Sequence, residues 1–188
     1  MTSLATALVS YAEFLKLPDD DNGGHYELHD GEVVLVPPAR PLHVGIQLRL
    51  LDLLGSRIAS DPTLMVVMEF PYKPAPNFQF WRADIAVVER SMKERMCGWD
   101  DYQTYAPILI IEVESSSNTV AKITKQRIVA LSCGTREFWL VSAKKQTIAI
   151  TALDGVVRTY HPGDSIQLLS LHAQLSVNAI LFGEGQEL

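Results

Sequence analysis

Ile108-Leu-Ile-Ile-Glu112-Val-Glu114, then Ser115-Ser-Ser-Asn-Thr119, then an amphipathic stretch to Ser132, is the part of this chain that decides the fold. An apolar run that ends abruptly in acid reads as a buried central strand whose C-terminal end opens on a site. The serines, Asn118 and Thr119 supply turn and cap residues. From about Thr119 to Ser132 the pattern is helical, and Gly134 closes the helix. Glu137-Phe-Trp-Leu-Val-Ser142 follows as another strand. A helix that crosses between two strands belongs to an α/β or α+β domain.

Working outward, Gln146 to Thr151 and Val156 to Tyr160 read as the last strands of a meander around Asp154-Gly155. Upstream, Arg82 to Arg90 and residues 64 to 70 are strand-like, separated by a proline-rich, aromatic loop from Pro71 to Trp81. Between Leu42 and about Ser60, Ile46, Leu50, Leu53, Leu54 and Ile58 recur at spacings of three and four, which predicts an amphipathic helix packed on the sheet. Tyr26 to His29 and Glu32 to Val36 flank Asp30-Gly31, a dipeptide suited to a tight I′ hairpin turn. Pro37 and Pro38 stop the hairpin, and a short amphipathic helix beginning at Tyr11 precedes it. The chain has no internal repeat, and its 188 residues suit one domain spanning 1–188, with a core of about 25–180.

Apolar residues make up 47% and charged residues 20%, which excludes disordered and fibrous classes. With 16 Lys and Arg against 22 Asp and Glu the net charge is -6, so a nucleic acid cannot be held by a broadly basic face; any such contact must be local or metal-assisted. Cys97 and Cys133 are too few for a disulfide framework and lack metal-ligand spacing, so a reducing, cytoplasmic setting is expected. No apolar run reaches the roughly 18 residues a membrane helix needs, so no membrane partner is expected.

The acids carry the chemistry. Asp84 lies inside an apolar strand, and Glu112 and Glu114 end another. Side chains two apart in a strand share a face, so Glu112 and Glu114 are expected to point together, joined by Asp84 if the strands are neighbours. Such carboxylates are either solvated or paired with a nearby Lys or Arg, or they gather a cation. Hard oxygen ligands select magnesium, manganese or calcium over zinc.

Tyr11-Ala-Glu-Phe-Leu, Tyr26-Glu-Leu-His-Asp-Gly-Glu-Val, His43 at a helix start, Ala83-Asp-Ile-Ala-Val-Val, Ile111-Glu-Val-Glu-Ser-Ser-Ser and Thr135-Arg-Glu-Phe-Trp-Leu-Val occur in one order. In that order and spacing the chain resembles the Uma-type "putative restriction endonuclease" family, a branch of the PD-(D/E)XK nuclease superfamily. The likeness covers nearly the whole chain. It implies a restriction-endonuclease-like central mixed sheet flanked by helices, with an N-terminal helix and β-hairpin. It further implies a magnesium- or manganese-dependent endonuclease that hydrolyses phosphodiester bonds in DNA. Asp84 would match the first metal-binding aspartate, Glu112 the acid of the second motif, and the Val113 carbonyl a further ligand.

Four positions depart from the family pattern. Ala83 stands where proline is common, and Glu114 where the superfamily has lysine. Lys122 and Gln126 fall where the family has aspartate and lysine on the next helix. Lys122 could reach the site from one turn earlier, and Lys125 lies one residue before Gln126 but about 100° around the helix. Asp84, Glu112, Glu114 and Lys122 are therefore the expected catalytic set, with Glu27, His43, Lys125 and Gln126 as accessory positions and Gln47 one turn beyond His43. Two other readings stand beside this one: a catalytically impaired module that binds nucleic acid or a protein partner, and a metal-dependent hydrolase of a small phosphorylated molecule. A homodimer would suit cutting of two strands.

Trp81, Trp99, Tyr102 and Tyr105 could stack on bases, but the commoner role of such residues is burial at a sheet edge. Arg82, Arg90, Lys93 and Arg95, interleaved with Glu89 and Glu94, read as a mixed-charge surface. Cys133 at a helix end reads as packing, and Ser115, Ser116 and Ser117 as a strand-to-helix turn, since no nucleophile elbow surrounds them.

Overall fold

In the computed structural model, residues 8–98, 100–115, 119–168, 171 and 173–183 are described. Trp99, Ser116 and Ser117 lie outside them. Helix α1 (Tyr11–Phe14) is short but well started: Ser10 and Glu13 form a reciprocal capping box, and Tyr11 and Phe14 are buried. The hairpin β1 (His25–His29) and β2 (Glu32–Val36) turns at Asp30 and Gly31, with φ of 48° and 80°, the two positive angles of the I′ turn. Helix α2 (Pro41–Ile58) starts on Pro41, whose fixed φ suits a first helical position, and buries Ile46, Leu50, Leu54 and Ile58.

Strands β3 (Leu64–Tyr72) and β4 (Gln79–Glu89) pair antiparallel along most of their length. Both run into the stretch expected to be a loop. Pro71 is tolerated because the N–H of Arg82 opposite it points away from β3, to Glu27, which makes the two a non-hydrogen-bonded pair that needs no N–H from residue 71. A helix that periodicity did not expose, α3 (Ser91–Cys97), follows β4; only Met92 is buried, too few apolar positions to show as a pattern. Strand β5 (Leu109–Val113) is buried at every residue.

Helix α4 (Val120–Ser132) is capped by Thr119, which accepts the Lys122 N–H at 3.1 Å, and buries Ile123, Gln126 and Ala130. Strands β6 (Glu137–Ser142), β7 (Thr147–Ala152) and β8 (Val157–Tyr160) complete the main sheet. It runs β2-β1-β4-β5-β6-β7-β8, with β3 also on β4; β5 and β6 are parallel and the other pairs antiparallel. This is the mixed, helix-flanked sheet that the sequence implies. The chain continues past the expected meander: β9 (Ser165–Leu168) and β10 (Ala173–Ser176) form a separate two-stranded sheet, and α5 (Val177–Leu181) follows.

One face of the main sheet packs Ile85, Val87, Ile111, Trp139, Val141 and Ile148 against α2 and the tail. The other packs Ala86, Val88, Ile110 and Phe138 against Ile123 and Ala130 of α4 and Met92 of α3. Trp81, 1% exposed, meets Tyr72 edge-on at 5.7 Å and stacks on His29 at 5.5 Å, so it is a packing residue. Tyr102 lies edge-on to Phe80, and Tyr105 donates to Glu89 at 2.8 Å. Arg90 is spent on the carbonyls of Pro62 and Leu64. Cys133 is exposed and does not pack, because it follows the last buried turn of α4.

Candidate metal centre

The site grows from a lapse in strand pairing. β1 meets β4 at Phe80 and Gln79, and β5 meets it at residues 85–87, so among the described residues Trp81 to Ala83 pair with β3 alone and Asp84 pairs with no strand. Carboxylates fill the role of missing backbone acceptors. Glu27 Oε1 accepts the Arg82 N–H at 3.0 Å, and Asp84 Oδ2 accepts the Val113 N–H at 2.6 Å. A buried N–H left unmatched would be costly, so this fork fixes both carboxylates in place.

β3 breaks here as well. Its register runs Met68↔Ile85 and Phe70↔Ala83, which puts Glu69 across from Asp84, but that pair is missing and Glu69 has φ of 54°. A non-glycine residue in the left-handed region costs on the order of 1 kcal/mol or more. The distortion delivers the Glu69 carboxylate to the site: ligand atoms of His43, Glu69 and Asp84 all lie within 4.8 Å of one another. His43 and Gln47, four apart on α2, present one face. His43 Nε2 lies 2.9 Å from Asp84 Oδ1, and the Gln47 amide donates to Glu69 at 2.5 Å and to Asp84 Oδ1 at 3.1 Å.

The adjoining β5 residue in this row is Glu112, since Ile85↔Ile111 places it beside Asp84. Burial, and then the charges of Asp84 and Glu27, push its carboxyl well above the ordinary range, with Lys122 opposing. Gln126 donates to it at 2.9 Å. Burial also pushes Glu27 up, but His25, His29 and Lys122 outweigh it and hold that carboxyl far below the ordinary range; His29 is 2.8 Å away and Lys122 3.2 Å. Burial draws His43 down, yet the hydrogen bond and charge of Asp84, with Glu69 behind, leave its pKa raised.

A cavity of about 40 Å³ lies among Glu27, His43, Glu69, Asp84, Glu112 and Lys122, room for an ion and little more. Several half-buried or buried acids converge there with only Lys122 and Arg82 as fixed cations lining it. Carboxylate oxygens with a single imidazole suit manganese or magnesium, so the donor set fits a divalent ion.

Of the residues expected from sequence, the structure brings together Asp84, Glu112, Val113, Glu27, His43, Lys122 and Gln126 around this cavity. Glu114 does not share the face of Glu112. β5 ends at Val113; the Glu114 N–H goes to the Val141 carbonyl, and its carboxylate binds Ser142 and Lys145, the latter at 2.8 Å. Lys125 is turned away and pairs with Asp30. Glu69 escaped the sequence reading, although its signal is the one that marked Asp84: an acid inside an apolar strand, between Met68 and Phe70.

The family model described as "Uma2: Putative restriction endonuclease" matches residues 11–179. The chain belongs to the Uma2 family. A crystal structure from Anabaena variabilis ATCC 29413, titled as a putative nuclease belonging to DUF820, has a TM-score of 0.77 to this Uma2 chain at 21% identity, covering 92% of this chain and 97% of that one. At that identity the likeness shows a common fold. No curated protein matches the chain. Uma2 membership carries nuclease chemistry as its functional implication, and among the described residues no helix is long and apolar enough to cross a membrane.

Proposed function

We propose that this chain is a divalent-metal-dependent endonuclease of the PD-(D/E)XK type, acting as one domain on phosphodiester bonds in DNA. The observation that carries the reading is the convergence of His43, Glu69 and Asp84 within 4.8 Å, beside Glu112 on the next strand. Asp84, Glu112 and the Val113 carbonyl, joined by Glu69 and His43, would hold magnesium or manganese. When bound, such an ion polarises the scissile phosphate and lowers the pKa of a water.

The remaining roles belong to the chain. Gln47 orients the Glu69 and Asp84 carboxylates by donating to both. Lys122, anchored by Glu27 at 3.2 Å, keeps an ammonium at the cavity although Glu114 and Gln126 occupy the lysine positions of the superfamily and the family, and it would offset negative charge that develops on the phosphate. Gln126 holds Glu112 in place. Cytoplasmic location agrees with two free, exposed cysteines, and two copies would serve to cut both strands.

The test is calorimetric titration of manganese and magnesium into wild type, Asp84→Ala and Glu112→Ala, with folding checked by circular dichroism and with cleavage of plasmid and of single-stranded DNA in parallel. Heat and cleavage in wild type, both lost in the folded variants, support the reading. Metal binding without cleavage of any nucleic acid would favour a second one, a catalytically impaired binding module. Its basis is specific: Gln126 occupies the lysine position, and Lys125 is committed to Asp30.

A further inference from the structure

The small cavity at the metal centre joins a larger one of about 450 Å³, the two sharing His43, Glu69, Arg82 and Asp84. The larger cavity is also lined by Val36, Pro37, Pro38, Ala39, Leu42 and Ala143, an apolar surface beside the acids Glu69, Asp84 and Glu114. Its size is that of a small-molecule pocket. An intact duplex has nothing to put there. Its bases are stacked, and it offers a protein only base edges in the grooves and phosphates on the outside.

Charge argues the same way. Duplex held through its backbone requires a basic stripe, and this chain has a net charge of -6. The Lys and Arg residues lining the two cavities are Arg40, Arg82 and Lys122, and Lys122 is committed to Glu27. Arg40 and Arg82 have no side-chain acceptor among the described residues, which provides for one or two phosphates. Further affinity has to come from burying an apolar surface, and an unpaired base supplies one.

From this we infer that the larger cavity receives an unpaired nucleotide next to the scissile phosphate, so that the substrate is DNA with a single-stranded stretch and not continuous duplex. The inference rests on the nuclease reading above and narrows it. Val36, Pro38 and Leu42 contact the base, while Arg40 and Arg82 meet its flanking phosphates.

The experiment measures manganese-dependent cleavage of three end-labelled DNAs: a continuous duplex, the same duplex with a single-stranded overhang, and the single strand. Wild type is compared with Ala39→Trp, which fills the cavity from an exposed loop position and touches no proposed ligand. Cuts should fall in unpaired DNA at about tenfold the duplex rate or more, the scale of burying part of one base face against an apolar wall. Ala39→Trp should bring that ratio towards one while manganese binding, read by calorimetry, stays as in wild type. Equal cutting of duplex and unpaired DNA, or a ratio that Ala39→Trp leaves untouched, would overturn the inference and leave the nuclease reading standing. Cleavage of none of the three overturns both.

Discussion

Residues 85–88 and 81–84 of β4 are consecutive halves of one strand, yet they do opposite work. Ile85, Ala86, Val87 and Val88 are at most 1% exposed, and Ile85 to Val87 pair with β3 on one side and β5 on the other. Their backbone groups are satisfied by neighbours, so their side chains are free to be wholly apolar and to feed both core layers. In the preceding half the ladder lapses, and Glu27 and Asp84 take over as acceptors for Arg82 and Val113. The lesson is that a gap in strand pairing is itself a reason for buried carboxylates, and that carboxylates so placed converge on one cavity.

The sharpest way to break this contrast is Ile85→Ala. It should cost about 2–5 kcal/mol in urea unfolding, because a fully buried side chain leaves a cavity, while metal stoichiometry of the folded fraction stays the same. Asp84→Asn should do the reverse. The amide oxygen still accepts from Val113, so stability should move by about 1 kcal/mol or less, whereas cleavage should fall by about 10²–10³-fold. Comparable loss of stability in both variants would dissolve the distinction between the halves.

Glu112→Gln sharpens it further. The Glu112 carboxyl is raised above its ordinary 4.5, so above that pH the unfolded chain releases a proton that the metal-free folded chain retains. Stability of the metal-free protein therefore falls as pH rises beyond about 4.5. The glutamine should remove that slope and add about 0.5–2 kcal/mol at neutral pH while abolishing metal binding, as thermal melts across pH would record. The smallest effect belongs to Glu114→Gln. Lys145 and Ser142 lower that carboxyl, so its stabilisation is present above 4.5 and is lost as pH falls below it. An exposed pair of this kind is worth about 0–1 kcal/mol, and calorimetry should find metal affinity unaltered.

Much of the architecture was legible because it is written in periodicity: α2 in the spacing from Ile46 to Ile58, β5 in an unbroken apolar run, the hairpin in Asp30-Gly31. What escaped has physical reasons. Pro71 hid the far end of β3, since only the partner strand reveals that no N–H is needed there. α3 buries a single side chain, and the separate β9-β10 sheet depends on which partner each strand finds. At the site, Asp84 and Glu112 stood out as acids among aliphatic residues, and Lys122 at the helical spacing did reach it. Glu114 misled because alternation holds only while a strand continues, and β5 stops one residue earlier. Glu69 needed the break in β3, a property of the backbone that no side-chain pattern announces.

The candidate metal centre draws on Glu27, His43, Glu69, Asp84, Glu112 and Lys122, so nearly a hundred residues of chain separate its first member from its last. On the ribosome, Glu69 and Asp84 can meet His43 and Gln47 of the earlier α2 as soon as β4 is out, whereas Glu27 of β1 and Glu112 of β5 wait for Lys122 and Gln126 until α4 arrives. The centre is thus completed only after β1 to β5 have been laid down, with β6 to β8 still to come. A nuclease built this way would carry its own delay: a truncated or half-made chain lacks the means to cut.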